Sequence, residues 1–342
     1  MKIKRLATIA MIVTAALSGC AIDNSKPDAA KPTVRIAYQA DPRGDLVIKN
    51  SKWLEEALPD YNIKWTKFDS GADINTAFIA KQVDFGSLGS SPVARGLSAP
   101  LNIPYSVAFV LEVAGDNEAL VARNGSGIES IADLKGKRVA TPFASTAHYS
   151  LLAALAQNGV SASDVQLVDL QPQAILAAWE RGDIAAAYSW LPTLDQLEKN
   201  GKVLITSRQL ADTGKPTLVL GAVSNSFAKE NPKVVDVWRQ QQARALNEIK
   251  TDPDVAAKAI AAEIALSPDD VSQQLTKAVF LTPAQEASPE WLGTDGKPGN
   301  LADNLETVSQ FLADQKQIPA PAPLSVFQNA IYTTGLPDVL TR

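Results

Sequence analysis

Short runs of β-forming residues alternate with helical stretches from Val34 onward, and this rhythm confines the chain to an α/β architecture with largely parallel sheets. Val34-Arg35-Ile36-Ala37-Tyr38 reads as a strand, Leu46 to Leu58 as a helix stopped by Pro59, and Ile63-Lys64-Trp65 as the next strand. Asp69-Ser70-Gly71 opens a helix to about Lys81, with polar side chains where the first N–H groups need acceptors. Val83 to Gly86 is a short strand, and Gly89-Ser90-Ser91-Pro92 begins another helix, Pro92 suiting its first turn.

The alternation restarts at Glu118-Ala119-Leu120-Val121. Lys137 to Thr141 and Val165 to Leu170 read as strands, Ser145 to Gln157 and Ala174 to Arg181 as helices, and Ile184 to Tyr188 as a strand after the Gly182-Asp183 turn. Thr217 to Val223 is an apolar strand, beyond which the chain is almost wholly helical. A restarted alternation in a chain this long implies two lobes: 33–113 plus 224–342 form lobe I, and 114–223 form an inserted lobe II, with crossings near Val113 and Ala222. A ligand is expected between them, outside the C-terminal ends of the strands.

The first nineteen residues stand apart from this pattern. Lys2, Lys4 and Arg5 precede an uncharged apolar run from Leu6 to Leu17, the layout of a secretory signal. That run is too short to cross the roughly 30 Å hydrocarbon core of a bilayer. It ends in Leu17-Ser18-Gly19-Cys20, which resembles a lipoprotein lipobox, so residues 1–19 are read as signal and Cys20 as the lipidated N-terminus. The stretch to Pro32 is rich in Ala, Asp, Lys and Pro and reads as a flexible tether, giving 20–32 as anchor and linker. Cleavage removes three cations and no acid, taking the formal charge from −5 to −8 and arguing against a nucleic-acid partner.

With one cysteine, read as lipidated, and one histidine, the chain lacks the usual zinc ligands, and neither a metal nor a cofactor is expected. Gly89-Ser90-Ser91-Pro92-Val93 lacks the final glycine of a nucleophile elbow, and no P-loop or dinucleotide fingerprint follows a strand. Binding is therefore expected rather than catalysis. Two helix starts, Gly89-Ser90-Ser91-Pro92 and Ser145-Thr146-Ala147-His148, each follow a strand and offer N–H groups and hydroxyls to an anion. Each hydroxyl pair also has a plainer use as a helix cap.

Asp69 to Ile74, Gly89 to Pro92, Asn117 to Val121 and Pro142 to Leu152 resemble the taurine-binding branch of periplasmic sulfonate-binding proteins. So do Leu170-Gln171-Pro172, Ala177 to Ile184 and Tyr188-Ser189-Trp190, in matching order over most of 33–235. The resemblance implies a two-lobed, hinged fold of the type II periplasmic-binding-protein kind. Its implied task is to capture taurine or a related sulfonate for the permease of an ABC importer, from an exported, membrane-anchored position, without turnover. Other small anions (an aliphatic sulfonate, a sulfate ester, nitrate) remain open, as does a thiamine-precursor enzyme on the same fold. A sulfonate only accepts hydrogen bonds, so Ser90, Ser91, Ser145, Thr146 and Gln39 are expected as donors, Glu118 as the acceptor for the ammonium, and Trp190 as an apolar wall. Tyr38 and His148 are expected to pack locally, and Trp179 to lie in the core.

One segment departs from the family pattern. Taurine-binding relatives look like Pro-Thr-Leu-Asp-x-Trp where this chain has Pro216-Thr217-Leu218-Val219-Leu220-Gly221. An acid near the ammonium and an aromatic wall are thus missing at Val219 and Gly221. This predicts weaker taurine binding or a bulkier sulfonate using the room at Gly221.

Overall fold

The computed structural model describes residues 31–341; the signal segment, Cys20 and the tether through residue 30 lie outside the described residues. The chain runs β1 (Thr33–Tyr38), α1 (Gly44–Ser51), α2 (Trp53–Ala57), β2 (Asn62–Lys67), α3 (Gly71–Ile79), β3 (Phe85–Gly89), α4 (Ser90–Leu97) and β4 (Tyr105–Val113). It continues through β5 (Glu118–Arg123), β6 (Arg138–Thr141), α5 (Thr146–Gln157), β7 (Gln166–Asp169), α6 (Pro172–Arg181), β8 (Ala186–Trp190), α7 (Thr193–Glu198), β9 (Gly201–Thr206), α8 (Ser207–Asp212) and β10 (Leu218–Ser224). Helices then dominate: α9 (Asn225–Glu230), α10 (Pro232–Thr251), α11 (Pro253–Ile264), α12 (Pro268–Leu275) and four more, with one two-residue hairpin.

These strands form two five-stranded sheets of matching order, β2-β1-β3-β10-β4 and β7-β6-β8-β5-β9. In each, three strands run parallel, as their βαβ connections require: β2, β1 and β3 in one, β7, β6 and β8 in the other. Each sheet also holds one reversed strand, so four of its five strands share a direction. β10 is antiparallel to β3 and β4, and β5 is antiparallel to β8 and β9. The reversed strands are also where the chain changes sheets.

That exchange moves one expected boundary. Residues 218–224, assigned almost wholly to lobe II from the sequence, pair with β3 and β4 in the first sheet. The second crossing therefore lies between α8 and β10, upstream of Ala222. The first passage from one sheet to the other lies between β4 and β5. The helix expected from Leu46 to Leu58 is two helices, because Lys52 takes a left-handed conformation (φ 54°) and its N–H caps α1 on Ile48 and Lys49. The break lets Leu46, Val47 and Ile48 of α1, and Trp53 and Leu54 of α2, all reach the core.

In the first sheet the core closes over Trp238 of α10, which stacks on Phe85 at 4.8 Å and meets Phe109 edge-on at 6.3 Å. A Cβ on Gly221 would lie 2.3 Å from this indole. The space left by Gly221 is therefore occupied by a core indole, and the expectation that it leaves room for a bulkier solute is corrected.

Candidate ligand-binding site

The parallel strands of both sheets deliver their C-terminal ends to one pocket. Gln39 follows β1, Gly89 ends β3, Ser145 and Thr146 follow β6, and Trp190 ends β8; all line it. The two sheet-to-sheet crossings add Ala114, Asn117 and Glu118 on one side and Val219 on the other. This is where an open α/β sheet leaves loop backbone exposed to a ligand.

The helix starts singled out in the sequence touch each other. Gly89 is the cap residue of α4, and a Cβ added to it would meet Thr146 Cγ2 at 2.4 Å. Only a glycine lets the N-terminus of α4 from one sheet approach that of α5 from the other this closely. Both ends carry N–H groups without intrahelical acceptors, which favour an anion.

The hydroxyls play a different part from the one expected of them. Ser145 Oγ donates to the Pro142 carbonyl at 2.6 Å and accepts from His148 N at 3.1 Å, so it serves as the α5 cap and its hydrogen is already used. Thr146 Oγ1 donates to Glu118 Oε2 at 2.5 Å. Ser90 Oγ accepts from Leu218 N at 3.2 Å, tying β10 to α4; it and Ser91 are buried behind the pocket wall, which Gly89 and Pro92 form. Gln39 Nε2 reaches the wall but donates to the Ser87 carbonyl at 3.0 Å. His148 stacks on Phe143 at 4.5 Å and accepts from Ala144 N, and burial pushes its pKa down to about 4.

Glu118 lines the pocket, yet four hydroxyls surround it. Ser207 at 2.6 Å, Ser150 at 3.2 Å and Thr217 at 3.3 Å share Oε1, while Thr146 takes Oε2. Burial raises its pKa and these donors oppose the rise. Trp190 is its register partner across β5 and β8. Most of this carboxylate's accepting capacity is taken by the protein.

Several pocket residues escaped sequence reasoning. Arg43, 1% exposed, pairs with Asp41 at 2.6 Å, while its Nε has no hydrogen-bond partner among the described residues. Burial opposes its charge, but Asp41, Glu112 and Asp45 outweigh that and hold its pKa above the usual guanidinium value. Glu112 is pushed up to about 7 by burial, with Arg43 pulling the other way. Asn117 Nδ2 donates to Glu112 Oε1 at 2.5 Å and its own Oδ1 accepts from Gly115 N. Gln274 of α12 completes the wall. A lone acid inside the apolar strand Tyr105–Val113 was a readable signal for Glu112, and a charged turn just after β1 was one for Arg43. Nothing in its own segment marks Gln274. Among the described residues no cluster of three or more His, Cys, Asp or Glu is arranged to hold a metal ion.

Comparison with known proteins identifies the family. The family model described as NMT1/THI5 like matches residues 63–256. The taurine-binding periplasmic protein of Escherichia coli (strain K12) is 40% identical over 297 residues, 84% of this chain and 88% of that protein. A putative aliphatic sulfonates-binding protein of Bacillus subtilis (strain 168) is 30% identical over 223 residues, 64% of this chain and 66% of that one. The solved structure of the alkanesulfonate-binding protein SsuA from Xanthomonas axonopodis pv. citri bound to MOPS has the same fold, with a TM-score of 0.72 at 22% identity over 89% of this chain and 99% of that chain. With over half its length matched by the family model and most of it aligned to the Escherichia coli protein, the chain belongs to the NMT1/THI5-like family, in the periplasmic binding-protein branch that includes that relative.

Proposed function

We propose that this protein is the solute receptor of an ABC importer, that it captures taurine or a closely related small aminosulfonate without turnover, and that it passes the solute to a membrane permease. The observation that carries this reading is the charge pattern of the pocket. Two helix N-termini and the Arg43 guanidinium offer donors to a permanent anion, while Asp41, Glu112 and Glu118 set three carboxylates against that one cation. Burial raises the pKa of all three acids, with Arg43 opposing the rise at Asp41 and Glu112 and hydroxyl donors opposing it at Glu118. A solute with a sulfonate at one end and an ammonium at the other fits both halves of the pattern. The similarity to the taurine-binding Escherichia coli protein supports the same choice.

An amine-free anion such as an alkylsulfonate, a sulfate ester or nitrate would leave the acids uncompensated, which is why we place it second. Calorimetric titration against taurine, hypotaurine, ethanesulfonate, sulfate and nitrate tests the reading. Taurine is expected to bind at least tenfold more tightly than ethanesulfonate, with its concentration unchanged after incubation; sulfate or nitrate binding best, or conversion of taurine, would overturn it.

The reading includes export and attachment through a diacylglycerol thioether on Cys20, supported by the charged and apolar segment before it and the tether after it. Acyl labelling of the wild type should disappear in Cys20→Ala. Labelling that persists in the variant would refute the anchor.

A further inference from the structure

Gln274 sits at the end of α12, 3% exposed, and lines the pocket. Its Nε2 donates at 2.6 Å to Asp195 Oδ2 on α7, a helix packed on β5, β8 and β9 of the second sheet. α12 itself packs on α11, which lies against α1 and α10 of the first. The amide thus bridges the two halves. Lys277, just beyond α12, reinforces the bridge, its ammonium donating to Asp195 Oδ1 at 2.8 Å and to Glu198 Oε2 at 3.2 Å.

An ionised carboxylate can only accept, so the end of the amide facing Asp195 has to be its NH2 group. The orientation of the side chain is thereby fixed, and Oε1 must face elsewhere. That oxygen is buried and has no hydrogen-bond partner among the described residues. A buried acceptor left unmade is costly, so the site favours a ligand that brings a donor. A sulfonate has none to bring. An ammonium has three.

We infer that Gln274 is a specificity-determining residue that accepts a hydrogen bond from the ammonium of the solute, and that its bond to Asp195 makes this acceptor available only when the two halves are together. The inference rests on the aminosulfonate reading and names which residue reads the amine. It also supplies a reason for an amine to favour closure. Oε1 is directed away from Asp195 only while α7 and α12 meet, so a solute that needs that oxygen stabilises the joined form more than one that does not.

The test compares taurine with ethanesulfonate, which differ in the amine, by calorimetry on the mature chain. Gln274→Met keeps the length and bulk of the side chain and removes both polar ends. It is expected to weaken taurine ten- to thirtyfold and ethanesulfonate no more than threefold. Lys277→Met removes the reinforcing ion pairs without touching the acceptor or its bond to Asp195 and should weaken both solutes by the same factor. Gln274→Leu serves as a second variant should the Met variant fold poorly, each checked by its thermal midpoint. Equal weakening of both solutes by the Gln274 substitutions, or no weakening of either, would overturn the inference while leaving the functional reading intact. A wild-type protein that binds neither solute would overturn both.

Discussion

Glu112 and Val219 are register partners across β4 and β10, and both line the pocket. An acid therefore stands beside the position where the taurine-binding pattern has its own. Directly opposed residues on antiparallel strands hold their Cβ atoms about 5 Å apart, so the carboxylate missing at 219 is supplied from one strand away. The expectation of poor taurine binding, drawn from Val219 alone, loses its main support.

Glu112 should make both stability and binding depend on pH. Its folded pKa of about 7 lies above the ordinary 4.5, so the folded state keeps a proton that the unfolded state releases. The contribution is full below about pH 4.5 and is lost as pH rises through 7, a change of about 3 kcal/mol. Thermal unfolding of wild type and Glu112→Gln at pH 5 and pH 8 should show the variant gaining up to that amount relative to wild type. An ammonium prefers the ionised acid, so taurine affinity should rise from pH 5.5 to 7.5 while ethanesulfonate affinity falls. Parallel trends for the two solutes would show that Glu112 does not face the amine.

The contact between Gly89 and Thr146 should limit closure. Gly89→Ala puts a methyl group 2.4 Å from Thr146 Cγ2, and overpacking of this kind costs about 1–3 kcal/mol. Solute affinity should drop about tenfold or more. Adding Thr146→Ser removes the opposing methyl, keeps the hydroxyl that Glu118 accepts, and should restore most of the loss. A double variant no better than Gly89→Ala would place the obstruction elsewhere.

Ser145 is a cap whose hydroxyl is already committed, so Ser145→Ala should lower stability by about 1 kcal/mol. Sulfonate affinity should change less than threefold, because the N–H groups of α5 stay in place. A tenfold loss of affinity at unchanged stability would mean that the hydroxyl turns to the solute on binding.

Gly221→Ala should behave as a core substitution. The new methyl would overlap Trp238, so the thermal midpoint should fall by an amount equivalent to about 1–3 kcal/mol. The ratio of taurine to ethanesulfonate affinity should be unchanged. A shift in that ratio without loss of stability would return residue 221 to the pocket wall.

The order of strands and helices was legible because strands buried on both faces read as continuous apolar runs and helix starts carry polar caps at Ser70 and Ser145. Sheet membership was not. Thr217 to Val223 is recognisably a strand, but apolar periodicity names no partner, and β10 pairs with strands more than a hundred residues earlier. Tertiary distance hid the pocket in the same way. Trp238 fills the space beside Gly221, Glu112 stands in beside Val219, and Gln274 arrives from a helix whose own pattern is merely amphipathic. The helix starts were found, whereas the fate of their hydroxyls depended on Glu118 and Pro142, which only the folded chain brings within reach.

Lys277 acts at two places. Its carbonyl accepts from Asp116 N at 2.8 Å and from Arg208 at 3.3 Å, beside the β4–β5 crossing, while its ammonium reaches across to Asp195 and Glu198. Loosening this residue frees the pivot and the far rim in one event, so escape of a captured solute should follow a single exponential. Its ion pairs are partly exposed and therefore screened by salt. In stopped-flow traces, raising the ionic strength should shorten residence time; a rate of escape indifferent to salt would mean that another contact sets the clock.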